Sequence, residues 1–160
     1  MSVAFTKEDS AETAAELLLP DRPISPGPNL VTQSGFAALT RQLREAEAAY
    51  DAANANEDIN ERRRQAAVPY RDLRYFAERV RTAQVVPEPA STDTVGFGST
   101  VTFERDDGRV QTYRIVGEDE ADPKAGTISH ASPIARVLLG KSTGDVATQG
   151  DGELEITAIA

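Results

Sequence analysis

Two apolar stripes of matching length, set on either side of a short charged break, constrain this chain more than any other feature. Phe36, Leu39, Leu43, Ala46, Tyr50 and Ala53 follow one another at intervals of three and four residues, and Ala66, Pro69, Leu73, Phe76, Val80 and Ala83 repeat the pattern. That alternation keeps all six side chains of a stripe on one side of an α-helix, at the a and d positions of a heptad repeat. A seam so narrow is better covered by another like it than by a broad globular core. The pair therefore predicts an antiparallel helical hairpin in which each seam buries the other. Thr32 or Ser34 can cap the first helix by accepting from the orphan backbone donors of its first turn. Pro69 interrupts the second stripe. Inside a helix it removes one hydrogen bond and crowds the preceding turn, at roughly 3 kcal/mol. Either the second helix kinks there or it begins near Val68.

The break reads Glu57-Asp58-Ile59-Asn60-Glu61-Arg62-Arg63-Arg64, three carboxylates and three guanidinium groups in eight residues. If the bend is helical, Asp58 and Glu61 stand at i,i+3 and share a face. Asp58 and Arg62 stand at i,i+4 in the order that favours an ion pair. Taken alone, Asp-x-x-Glu is common on helix surfaces, and a solvated bend of mixed charge accounts for it.

Residues 1–30 read as a flexible N-terminal extension. A short helix is expected over Ala11–Leu19, ending where Pro20, Pro23, Pro26 and Pro28 impose extended or turn geometry. The hairpin occupies residues 31–86, and the Pro-containing stretch at 87–94 reads as a linker. Beyond it the apolar period switches to two. Thr100–Phe103 and Val110–Val116 alternate, and Asp107-Gly108 between them signals a β-hairpin. A Gly- and acid-rich loop, a short helix around Ser132–Leu139 and a closing strand over Glu153–Ile159 complete residues 95–160. The fold class is α+β, a helical coiled-coil hairpin followed by a small β-rich domain.

Composition excludes several functions. The absence of cysteine removes disulfides, thiol catalysis and most structural zinc sites, and the single histidine, His130, removes multi-histidine metal centres. A reducing cytoplasm is the expected compartment. No apolar run approaches the ~20 residues of a membrane helix, and the N-terminus lacks the pattern of a secretory signal. A net charge of −9 argues against general nucleic-acid binding and sequence-specific DNA recognition. The charge is uneven: residues 31–86 nearly balance, and the segment after them carries most of the excess. His130 and Ser132 do not form a nucleophilic pair, because no acid is spaced to orient the imidazole. Glu118-Asp119-Glu120-Ala121-Asp122 reads as an exposed loop between β-elements.

Several strings of the second half are distinctive in combination. They are Val95-Gly96-Phe97-Gly98-Ser99-Thr100-Val101-Thr102, Tyr113-Arg114-Ile115-Val116-Gly117-Glu118-Asp119-Glu120-Ala121-Asp122, and Ser132-Pro133-Ile134-Ala135-Arg136 continuing to Leu139-Gly140-Lys141 and Gly144-Asp145. In this order they resemble the C-terminal domain of the GreA/GreB transcription elongation factors. The hairpin from Thr32-Gln33-Ser34-Gly35-Phe36 to Ala83-Gln84-Val85-Val86 is similar to that family's coiled coil. The resemblance implies an FK506-binding-protein-like C-terminal domain that binds bacterial RNA polymerase at the rim of the secondary channel. It implies a coiled coil that enters the channel and tip acids that assist a polymerase-held Mg²⁺ in hydrolysing backtracked RNA. On this resemblance Asp58 and Glu61 are the tip acids, without a metal bound stably by the factor alone. Ser132, Pro133 and Ile134 are the polymerase-docking residues. The factor is a monomeric regulator with no cofactor and no enzymatic activity of its own.

Two departures bear on the tip. The hairpin is about fourteen residues shorter than is usual in the family, which removes roughly 10 Å of reach at 1.5 Å per residue. Arg62, Arg63 and Arg64 also follow Glu61 where the family carries neutral and acidic residues. Guanidinium groups there suit RNA phosphate, including the nascent 3′ end, or acidic residues lining a channel. The sequence thus favours a polymerase-binding factor with reduced or absent cleavage stimulation. A full cleavage factor and a regulator of nucleoside diphosphate kinase type are the alternatives.

Overall fold

The computed structural model describes residues 19–160, so nearly all of the helix expected over Ala11–Leu19 lies outside the described residues. The chain divides into two compact units, one taking in the stretch up to Gly27 with Leu39–Arg81, the other Pro28–Ala38 with Thr82–Ala160.

The two heptad stripes become two helices, α1 over Gln33–Asn54 and α2 over Ile59–Thr82. At 1.5 Å per residue they are about 33 and 36 Å long. Leu39, Ala46 and Ala53 are buried on α1, and the remaining seam residues of both helices are half-buried. The Tyr50 and Tyr70 rings meet across the pair with centroids 5.5 Å apart. Pro69 lies inside α2, which overturns a start near Val68. The helix tolerates its missing donor because more than two turns precede it and pin the chain. Before α1, Leu19–Ile24 runs along α2. Asp21 accepts from Arg74 at 2.9 Å, and the Arg22 guanidinium lies 3.9 Å from the centre of the Tyr75 ring.

In the other unit, two short strands, β1 (Asn29–Val31) and β2 (Ala83–Val85), pair in parallel and flank the two helices in sequence. Ala83, the last residue of the second stripe, therefore belongs to a strand. Thr32 is the N-cap of α1, its hydroxyl accepting from Gly35 N–H at 3.0 Å. Glu120 then secures the cap. Its carboxylate accepts from Thr32 N–H and from Gly117 N–H, each at 3.1 Å, and from the Thr32 hydroxyl. The acid-rich loop is therefore not simply exposed, since one of its carboxylates is committed to the start of α1.

The β-rich part is a five-stranded sheet in the order β5-β4-β3-β7-β6. Its strands are β3 (Thr100–Arg105), β4 (Val110–Val116), β5 (Thr127–Ser129), β6 (Val146–Gln149) and β7 (Gly152–Ile159). All neighbours are antiparallel except β4 and β5. Between β3 and β4 the loop closes with Gly108 N–H donating to Arg105 C=O at 2.9 Å, with Gly108 at φ 84°. A glycine suits that left-handed position. Asp107 beside it is held below the usual carboxylate range, first by the Arg109 backbone N–H and then by its guanidinium. The alternation predicted for β3 holds: Val101 and Phe103 face the core, while Thr102 on the other face bonds Thr112 at 2.9 Å. A short helix, α3 (Pro133–Leu138), packs Ala135 and Leu138 onto Phe103, Ile115, Leu154 and Ile156.

Candidate functional site: the hairpin bend and the start of α3

Each end of the charged break is tied by a short polar side chain. Asn56 accepts from Asp58 N–H through its side-chain oxygen (3.0 Å) and from Arg62 Nε through its backbone carbonyl (2.9 Å). Asp58 Oδ1 accepts from Asn60 N–H at 2.9 Å and Glu61 N–H at 3.0 Å, which makes Asp58 the N-cap of α2. Glu61 stands at the third helical position and accepts from Arg64 Nη1 at 3.0 Å and Gln65 Nε2 at 3.1 Å. The Asp58–Arg62 ion pair expected from spacing does not form, because the guanidinium reaches back to the Asn56 carbonyl instead. Asp-x-x-Glu thus marks where a helix begins. Ile59 stands exposed between the two acids. Among the described residues no group of three or more His, Cys, Asp or Glu is placed to hold a metal ion.

A capping role has a measurable consequence. Asp58→Ala is expected to lower hairpin stability by about 1 kcal/mol, since two amide donors lose their acceptor. Asp58→Ser should recover most of the loss in urea denaturation. Equal stability of the alanine and serine variants would contradict the cap.

Beside the bend, α1 and α2 border a groove of about 490 Å³. Tyr50 and Tyr70 line it together with Arg62, Arg63, Arg71 and Arg74. Four arginines thus line one groove, two of them paired: Arg74 with Asp21, which also lines it, at 2.9 Å, and Arg71 with Asp72 at 3.4 Å. Sequence reading stopped at Arg62–Arg64 and missed Arg71 and Arg74. Their signal was a second stripe, Arg63, Ala67, Tyr70, Arg71 and Arg74 at intervals of four, three, one and three, running alongside the apolar seam.

In the other unit, the three docking candidates have different surroundings. Ser132 is the N-cap of α3: its hydroxyl donates to Ser129 C=O at 2.6 Å and accepts from Ala135 N–H at 3.3 Å. Pro133 occupies the first helical turn and is exposed. Ile134 is partly buried against the sheet core. Beside them, Ile128, Ile134, Tyr113 and Arg105 line an apolar cavity of about 350 Å³. Arg105 is braced there by Gln111 at 2.5 Å and Gln149 at 3.2 Å. His130 packs edge-on against Phe97 with centroids 5.6 Å apart. The hydroxyl of Ser132 is used in the cap, and only Pro133 of the three stands fully outward.

Comparison with known sequences first defines the class of the β-rich unit. The sequence model described as "Transcription elongation factor, GreA/GreB, C-term" matches residues 90–160. A GreA of Ralstonia nicotianae is 47% identical over 89 residues, which is 51% of this chain and 56% of that protein. The match thus spans little more than half of that relative. A GreB of Haemophilus ducreyi is 32% identical over 133 residues, covering 73% of this chain and 82% of that protein. This chain belongs to the GreA/GreB family. The crystal structure of GreA factor homolog 1 of Thermus thermophilus superposes with a TM-score of 0.40 at 23% identity, covering 84% of this chain and 99% of that one.

Proposed function

We propose that this protein is a Gre-like elongation regulator that binds bacterial RNA polymerase through the α3 side of its β-rich unit. It presents its hairpin bend to the secondary channel without strongly stimulating transcript cleavage. The observation that carries this reading is the length of the two helices, 22 and 24 residues, with the state of the two acids at the bend as a lesser support. Asp58 is engaged in capping α2 and Glu61 is held by Arg64 and Gln65. A carboxylate assists a polymerase-held Mg²⁺ only in contact, at ~2.1 Å; Glu61 must first open its bonds to Arg64 and Gln65, whereas the Asp58 cap uses only Oδ1. Exposed ion pairs cost little to open, about 0–1 kcal/mol. Reach is therefore the heavier constraint, and helices of 22 and 24 residues set it. The bend also supplies cations: Arg62, Arg63 and Arg64 would meet RNA phosphate or channel carboxylates. The factor contributes binding and charge, and the chemistry belongs to the polymerase.

A second reading, full cleavage stimulation, draws on one observation: Asp58 is exposed at the bend and its capping bonds use only Oδ1. The docking half is tested with Pro133→Glu. An acidic residue is compatible with the first turn of a helix, so α3 should persist while the outward face changes from apolar to charged. The variant should compete with a labelled GreA for polymerase at least tenfold more weakly than the wild type. Undiminished competition would place the docking surface elsewhere, and no competition by the wild type would remove polymerase binding altogether.

A further inference from the structure

The segment Leu19–Ile24 belongs to no helix or strand, yet it lies against arginines and aromatic rings of α2. Pro20 and Pro23 deny it two backbone donors and restrict it to extended geometry. Its attachment is through side chains. Leu19 and Asp21 both line the groove formed by Tyr50, Tyr70 and the arginines. Asp21 accepts from Arg74 Nη2 at 2.9 Å, with the two side chains 60% and 54% exposed. Arg22 approaches Asp72 at 3.4 Å and stacks over Tyr75. A carboxylate on an arginine at the rim of an aromatic, arginine-lined groove occupies the place a phosphate oxygen would take.

We propose that Leu19–Ile24 is a displaceable strap that competes, within the chain, for the groove in which single-stranded RNA phosphate binds, with Asp21 occupying Arg74. The proposal rests on the reading of the bend arginines as phosphate contacts. It adds a regulatory element to them: RNA gains the whole groove only by lifting the strap. The attachment is of the right strength for a competitor, because an exposed ion pair shifts an equilibrium by roughly two- to fivefold.

The test uses the full chain and a short fluorescent single-stranded RNA, with anisotropy measured across a salt series. Asp21→Asn should bind about three- to fivefold more tightly than the wild type. Its affinity should also fall more steeply with salt, by about 0.7 in the log–log slope, because one more arginine neutralises phosphate. Glu45→Gln makes the same change of charge on α1, about 140–180° around the helix from the groove-lining Tyr50 and Asn54, and should leave the slope unchanged. Arg63→Ala should weaken binding and flatten the slope. If Arg63→Ala weakens binding while Asp21→Asn matches Glu45→Gln in affinity and slope, the strap is overturned and the phosphate reading stands. If the wild type and Asp21→Asn both fail to bind RNA, the phosphate reading falls and the strap falls with it.

Discussion

Replacing Glu120 with leucine is expected to destabilise the β-rich unit by about 3–5 kcal/mol. Three donors lose their acceptor together: Thr32 N–H, the Thr32 hydroxyl and Gly117 N–H. Thr32 is 4% exposed and Gly117 is buried, so water replaces the carboxylate only in part. A buried donor left without a partner costs about 1–3 kcal/mol, and the partial exposure of Glu120 keeps the total below the simple sum. Two glycines make room for the arrangement. A Cβ on Gly35 would run into the Glu120 carboxylate, and one on Gly117 would stand 2.5 Å from the Leu30 carbonyl oxygen. Gly117→Ala should accordingly cost about 1–3 kcal/mol through overpacking. Glu120→Gln keeps an acceptor of the same shape and should lose far less than leucine. Urea denaturation, with hydrogen exchange at Thr32 and Gly117, reads both. Equal stabilities of the leucine and glutamine variants would show that the carboxylate does not hold the start of α1.

Leu39→Ala is the second large effect, about 2–5 kcal/mol. Leu39 is 1% exposed on α1, the most buried residue of its seam. Its removal leaves a cavity that neighbouring seam residues fill only in part. Leu43 is half-buried on the same stripe, and Leu43→Ala should cost distinctly less. Denaturation followed by far-ultraviolet circular dichroism measures both. The seam account fails if the Leu39 variant loses less than the Leu43 variant.

What the sequence showed and hid follows from the range of each interaction. Heptad spacing, the period-two strands β3 and β4, the Ser132-Pro133 helix start and the closing strand were all legible because each is written in consecutive residues. The parallel pair β1 and β2 was not, since three-residue strands carry no period and their partners lie more than fifty positions apart. The Glu120 bonds to Thr32 span 88 positions, and nothing in an acid-rich loop marks which carboxylate will turn inward. At the bend, Asp58 caps α2 and Glu61 bonds Arg64 and Gln65, and the expected Asp58–Arg62 pair is not formed. Spacing identifies which groups can meet, and a competing backbone carbonyl at Asn56 decided which did. Arg71 and Arg74 went unnoticed because the apolar seam beside them is the stronger pattern.

The central claim is that a hairpin with family acids at its bend engages polymerase without promoting cleavage. Stalled, backtracked elongation complexes incubated with the wild-type protein and with Asp58→Ala/Glu61→Ala test it most directly, with 3′ RNA fragments resolved by electrophoresis. The account predicts that the wild type displaces a labelled GreA from the complexes, and that neither protein raises fragment release appreciably above the intrinsic rate. Fragment release by the wild type that disappears in the double variant would contradict it, and would make Asp58 and Glu61 working cleavage residues.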